Sequence, residues 1–281
     1  MAQLQIVSIP VTSPVPMLES EANCYLLGTE HESILIDAGY DQWNTAEAIQ
    51  KAVQESQLAT PNRILLTHSH PDHAPGAKRL KHWEATLMFH PQEEKGMREA
   101  LSIPEDHDPI PLQPLEDQAT LYVDGHPIVA IHSPGHTRGH LCFWLPEQKI
   151  LFSGDNVLGK GTTWIGPPDG NIRDYLRSLE QLEQLPIEKI APGHGPWIDN
   201  PKERIAFIRQ HRLEREAQIL SLMKAQPSRQ ASIAALAEAI YQDTIPAFIV
   251  PFAERTVEAH LQKLEEDGKV RRLTPDTYEV L

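Results

Sequence analysis

Three histidines and a carboxylate fall within six residues at His68-Ser69-His70-Pro71-Asp72-His73. The stretch follows the β-branched and aliphatic run Ile64 to Thr67. On an extended strand end, residues two apart point to the same side, so His68 and His70 can offer two imidazoles to one cation. Pro71 then turns the chain, and Asp72 and His73 can swing toward a second cation nearby. Imidazole and carboxylate together suit zinc, manganese or iron(II) rather than calcium. The remaining ligands must come from elsewhere, and the candidates are His136 in Ser133-Pro134-Gly135-His136-Thr137, Asp155 after Ile150-Leu151-Phe152-Ser153-Gly154, and His194 in Pro192-Gly193-His194-Gly195. Each stands at a turn next to an apolar run, beside a glycine that lets backbone approach a metal closely. Loops at one rim of a scaffold are where such groups are commonly carried.

Two divalent cations sharing a water lower its pKa toward neutrality, so the expected chemistry is hydrolysis by metal-bound hydroxide. The same cations polarise a carbonyl or phosphoryl oxygen. Asp72 is the expected catalytic side chain, orienting the hydroxide and passing a proton to the leaving group. Asp37, just before Gly39, is expected to hold a ligand histidine by its second N–H. Trp164 lies in the Gly- and Pro-rich segment Gly159 to Asn171 and is expected to wall a substrate loop. The other nine histidines, His132 and His140 included, read as ordinary half-buried polar residues.

The elements that must position these residues follow from the pattern of short apolar runs. Strands are expected at Leu4 to Ile9, Cys24 to Leu27, Ser33 to Ile36 and Ile64 to Thr67, with helices over Trp43 to Gln54 and Pro75 to Trp83. A second set of strands runs over Thr86 to Phe89, Thr120 to Val123, Ile128 to His132, Leu141 to Leu145 and Ile150 to Ser153, with helices near Pro91 to Ala100 and Ile172 to Gln184. This alternation predicts an α/β fold, a four-layer αββα sandwich of two facing sheets with helices outside. After Pro201 the character changes to one long helix, then two further helices and a strand pair after Gly268, the outline of a winged helix. The predicted parts are a catalytic domain over 1–200, a linking helix over 201–227 and a winged-helix-like domain over 228–281.

Composition bounds the rest. The chain has 281 residues with 40% hydrophobic and 23% charged residues, as a globular protein does. Met1 to Pro10 lacks the basic start and apolar run of a signal peptide, and no stretch approaches the roughly 20 apolar residues of a membrane span. The cytoplasm is the expected location. Cys24 and Cys142 each sit in an apolar run and read as buried thiols. A formal net charge of −14 opposes purely electrostatic binding to nucleic acid, although bound cations would offset part of it. Residues 228–281 hold six Lys and Arg against nine Asp and Glu, a net of −3, so the winged-helix-like part reads as a lid, packing wall or homodimer surface rather than a basic reader of nucleic acid.

The motif His68 to His73, with His136, Asp155 and His194 in order behind it, resembles the metallo-β-lactamase superfamily. The resemblance implies one metal on His68, His70 and His136, a second on Asp72, His73 and His194, and Asp155 bridging the two. It also implies two divalent ions, with zinc first and manganese or iron(II) as the other candidates. One departure is visible, since the motif is followed by Ala74-Pro75-Gly76 where many members have a Gly-Gly pair. The stretch Phe152 to Thr163, Pro192-Gly-His-Gly-Pro196, His211-Arg212 and Arg215-Glu216 are similar to the beta-lactamase-like protein 2 group, which includes endoribonucleases acting on single-stranded RNA. The alternative is a thioesterase- or lactonase-type acyl hydrolase resembling hydroxyacylglutathione hydrolase. The expected partners are therefore a small ester or thioester, or single-stranded RNA.

Overall fold

Strand pairing begins with a hairpin and continues in parallel, as the computed structural model shows for the described residues 3–13, 21–104, 109–242 and 245–281. Strands β1 (Gln5–Thr12), β2 (Glu21–Gly28), β3 (Ser33–Ile36), β4 (Arg63–Leu65), β5 (Thr86–Phe89) and β6 (Leu112–Pro114) form one sheet in sequence order. The β1–β2–β3 pairs are antiparallel, and β3 through β6 are parallel. Helix α1 (Trp43–Ser56), a 3₁₀ helix (Pro75–Trp83) and α2 (Glu94–Leu101) supply the crossovers that parallel neighbours require. The second sheet holds β7 (Thr120–Val123), β8 (His126–His132), β9 (Leu141–Leu145), β10 (Ile150–Gly154) and β11 (Lys189–Pro192), in the order β11-β10-β9-β8-β7.

Side-chain alternation decides which face each strand gives to which core. Tyr25, Leu27, Ile34 and Ile36 pack with Ile128, Leu141, Phe143 and Phe152 in the layer between the two sheets. Their alternate neighbours Cys24, Leu26 and Leu35 pack with Ile49, Leu80 and Met97 of the helices. Both cysteines are buried and unbridged, as expected, and burial pushes the Cys142 thiol up to about 12.

By contacts the chain divides into two compact units, residues 1–133, 139–161 and 185–201 in the first and 134–138, 162–184 and 202–281 in the second. The second unit gathers α3 (Ile172–Glu183), α4 (Pro201–Ala225), β12 (Gln230–Ser232), α5 (Ile233–Tyr241), α6 (Val250–Glu266), β13 (Val270–Arg272) and β14 (Thr277–Val280). Its core is Ile219, Met223, Leu236, Val257, Leu261 and Tyr278. Ser232 caps α5 by accepting from Ala235 N at 3.2 Å, and β12, β14 and β13 form a small sheet in that order. Ion pairs draw 162–184 to this unit. Arg173 meets Glu266 at 2.5 Å and Asp267 at 2.6 Å, and Arg209 on α4 meets Glu183 at 3.3 Å.

The structure differs from the sequence reading in three local ways. Strand β4 stops at Leu65, so His68 and His70 lie on the loop after the strand rather than on its extended end. Residues Pro75–Trp83 form a 3₁₀ helix. A Cβ on Gly76 would lie 1.9 Å from the Ala38 carbonyl oxygen, so this turn is pressed against the chain after β3 and only glycine fits there. Finally, β6, β11 and β12 are strands of three or four residues that no apolar run announces. Among the described residues, no helix is long and apolar enough to cross a membrane.

Candidate metal centre

Two buried carboxylates, Asp37 and Glu93, shape the loop 66–74. Asp37 follows β3 with φ +56°, and its backbone N–H donates to the Leu65 carbonyl at 2.9 Å. Its Oδ1 accepts from Thr67 N at 2.8 Å, and its Oδ2 accepts from the Thr67 hydroxyl at 2.9 Å and lies 2.8 Å from His73 Nδ1. His68 Nδ1 lies 3.0 Å from the same hydroxyl. A hydroxyl has one proton, so if it donates to Asp37 it must accept from His68. Asp37 then holds His73 directly and His68 through Thr67, and both rings take the tautomer with the lone pair on Nε2. Glu93, only 5% exposed, braces the other side of the loop. It accepts from Ser69 N at 3.0 Å, from the Ser69 hydroxyl at 2.6 Å and from Gly139 N at 3.0 Å.

His194 comes from the turn after β11, tied to β2. Asn23 donates its side-chain N–H to the Pro192 and Gly195 carbonyls at 3.0 and 2.9 Å, and the Tyr25 hydroxyl donates to Pro192 at 2.7 Å. The Glu21 carbonyl accepts from His194 Nδ1 at 2.8 Å, so here too Nε2 carries the lone pair. A Cβ on Gly193 would lie 2.5 Å from Asp155 Oδ1, which makes that position a glycine by contact. Asp155 follows β10, and its N–H donates to His140 Nε2 at 3.1 Å.

Four atoms converge from these loops. His73 Nε2 is 3.3 Å from His194 Nε2, 3.3 Å from Asp155 Oδ1 and 3.8 Å from Asp72 Oδ2, while His194 Nε2 is 3.2 Å from Asp72 Oδ2 and 3.4 Å from Asp155 Oδ1. Ligands bound at about 2.0–2.1 Å in a tetrahedron stand about 3.4 Å apart, so these spacings fit one divalent ion. His68, His73 and Asp155 form a further group whose donor atoms lie within 4.8 Å of one another. The His70 ring stands 4.5 Å from that of His68, centroid to centroid.

The electrostatics agree with the geometry. Burial opposes a charged His73, yet Asp155, Asp72 and Asp37 outweigh it and hold its pKa well above the ordinary value. His194 is shifted up by the same balance, burial against Asp155 and Asp72. For Asp72 burial works upward, but His73 and His194 bring its pKa down to about 2. A pocket that favours positive charge so strongly, with imidazole lone pairs facing one another, fits a cation.

His136 belongs to the second unit, on the segment 134–138. There its Nδ1 donates to the Trp164 carbonyl at 2.7 Å, and Asn171 N donates to the Gly135 carbonyl at 2.8 Å. The side chain of Trp164 donates from Nε1 to the Phe252 carbonyl at 3.0 Å. Thr67 and Glu93 were not foreseen as positioning residues. A threonine closing a β-branched run and a glutamate opening a helix carry no distinctive signal.

Residues 19–194 match the metallo-β-lactamase superfamily, and residues 232–276 match the β-lactamase associated winged helix domain. The chain is 32% identical to the beta-lactamase-like protein 2 homolog of Drosophila melanogaster over 267 residues, covering 95% of this chain and 89% of that protein. It is 29% identical over 281 residues to the atrochrysone carboxyl ACP thioesterase of Aspergillus fumigatus, covering 95% of this chain and 82% of that one. A metallo-β-lactamase family protein from Thermus thermophilus superposes with a TM-score of 0.81 at 26% identity, covering 98% of both chains. With its fold, its cluster of histidine and aspartate donors and these likenesses in agreement, the chain belongs to the metallo-β-lactamase superfamily and is a metal-dependent hydrolase with a C-terminal winged helix domain.

Proposed function

We propose that the protein hydrolyses acyl thioesters or esters with two divalent ions, zinc by preference and manganese or iron(II) as the alternatives. His68, His70 and His136 would hold one ion, Asp72, His73 and His194 the other, with Asp155 between them. The observation that carries this reading is the set of spacings near 3.3 Å among His73, His194, Asp72 and Asp155. Ions bound there would lower the pKa of water and polarise the scissile carbonyl. The chain's own residues do the rest. Asp72 rests as a carboxylate, and its oxygen turned away from His194 would orient the attacking water, take up its proton and release that proton to the leaving group, returning to the carboxylate. Asp37 fixes the histidine tautomers, and the Trp164 carbonyl fixes that of His136. A cleft of about 610 Å³ beside His194, walled by Glu21, Asn23 and Lys160, offers room for the acyl chain.

The thioester reading is favoured over a polyanion by the net charge of −14. Single-stranded RNA is the second reading, and the likeness to the beta-lactamase-like protein 2 homolog over 95% of the chain favours it. We further propose a catalytic domain over 1–200, a linking helix over 201–227 and a winged-helix-like domain over 228–281 that offers a surface to a second copy of the chain, all in the cytoplasm. One panel separates the substrates: acyl thioesters, lactones and single-stranded RNA, incubated with protein loaded with zinc, manganese or iron(II), beside an Asp155→Ala control. Thioester cleavage lost in the control supports the acyl reading. Cleavage of RNA alone would replace it with the second.

A further inference from the structure

A cavity of about 330 Å³ in the second unit combines charge and aromatic surface in a way the hydrolytic site does not use. Helix α4 gives it His211, Arg212 and Arg215, and no carboxylate side chain is among the described residues that line it. Arg212 is only 3% exposed. It donates from Nη2 to the Thr163 carbonyl, its guanidinium lies 5.5 Å from the Tyr175 ring centroid, and its buried Nε has no hydrogen-bond partner among the described residues. Arg212 also hydrogen-bonds the Tyr175 side chain, and its buried positive charge beside the cavity is costly unless an opposite charge approaches it. Arg215, which also lines the cavity, lies over the Tyr241 ring at 4.6 Å and adds a second cation.

Another part of the lining is apolar and aromatic. Trp164 and Phe252 meet edge to face with centroids 5.6 Å apart, and Ile245 and Ile249 continue the surface. Phe252 is 51% exposed, so this side reaches solvent. Two cations with no carboxylate among the described lining residues select an anion, and an aromatic wall selects a flat or aliphatic body attached to it. Cavities of about 300 Å³ and above are the size at which small organic ligands bind.

We propose that this cavity binds an organic anion, with a carboxylate or phosphate on Arg212 and Arg215 and the attached aromatic or aliphatic body against Trp164 and Phe252. It serves as the subsite that selects the substrate. The Trp164 carbonyl orients His136 at 2.7 Å while its indole walls the cavity, so the bound anion and a metal-ligand histidine share one residue. That the bound anion is part of a substrate rests on the acyl-hydrolase reading; that the cavity binds it does not.

The test is isothermal titration of the zinc-loaded full chain with 2-naphthoate and 2-naphthyl phosphate, with 2-naphthol and inorganic phosphate as half-ligands. At least one of the two naphthyl anions binds with a dissociation constant below about 1 mM and at least about 10-fold tighter than either half-ligand. The tighter of the two identifies carboxylate or phosphate as the head. Arg215→Gln and Trp164→Leu each weaken that binding about 10-fold, with zinc content and circular dichroism unchanged. Because an anion sitting on the zinc ions would ignore Arg215, equal binding by Arg215→Gln overturns the proposal. So does 2-naphthol binding as tightly as the anions, or no binding at all. Turnover is not read in this titration, so loss of the thioesterase reading leaves its result standing.

Discussion

His73 and His260 are both fully buried, yet the charges around them act in opposite directions. Around His73, Asp155, Asp72 and Asp37 overcome burial and raise its pKa. At His260 burial itself, joined by Arg212, Arg215, Lys263 and His211, pushes the pKa well below the ordinary value. Acidic groups therefore make a negative field around His73 in the first unit, whereas in the second unit cations, three of which (His211, Arg212 and Arg215) also line the proposed anion cavity, make a positive field around His260 although Glu216 Oε1 lies 4.0 Å from its Nδ1. Asp37 spends both oxygens on Thr67 and His73, whereas Arg212 Nε, Glu216 Oε1 and both ring nitrogens of His260 have no hydrogen-bond partners among the described residues. A hydrolase that needs fixed metal ligands and a separate means of choosing its substrate has reason to keep both kinds of site.

The largest effect should come from removing the carboxylate common to the negative field. Asp155→Ala is expected to lower kcat/KM by about 10³-fold, equal to about 4 kcal/mol of transition-state stabilisation, checked by steady-state kinetics on the best thioester. Asp37→Asn keeps the shape but takes an acceptor from His73 or Thr67. It is expected to cost 10- to 100-fold in metal affinity, roughly the usual loss when a residue holding a metal ligand is changed, checked by competition with a chelating dye.

The positive field should show itself in pH dependence. A histidine whose folded pKa lies below its unfolded value favours folding fully above the unfolded value, about 6.5, and loses that contribution as pH falls. Wild-type stability should therefore decline below pH ~6.5 with a slope of up to about 1.4 kcal/mol per pH unit from this one residue. His260→Leu should flatten that part of the curve, measured by urea unfolding at a series of pH values. An unchanged slope would mean that burial and the neighbouring cations do not act on His260 as described.

The two regions were not equally legible in the sequence. The histidine motif is dense, and donors packed into six residues have little else to do, so His68, His70, Asp72 and His73 stand out. Asp155 and His194 could be found because each ends an apolar run at a glycine turn. Thr67 and Glu93 could not, since their work depends on contacts with Asp37 and with Ser69 and Gly139 that only the fold creates. The anion cavity was hidden for a similar reason. His211, Arg212 and Arg215 on a long charged helix look like a solvated face until packing buries Arg212. Short strands such as Gln230–Ser232 exist because a partner strand pairs with them, and no local pattern marks them.

Zinc stoichiometry tests the proposed two-ion site of seven residues most directly. Titration of chelator-treated protein with zinc should give two ions per chain for wild type and one for His194→Ala. Wild type that binds fewer than two, or a His194→Ala variant that still binds two, would contradict it.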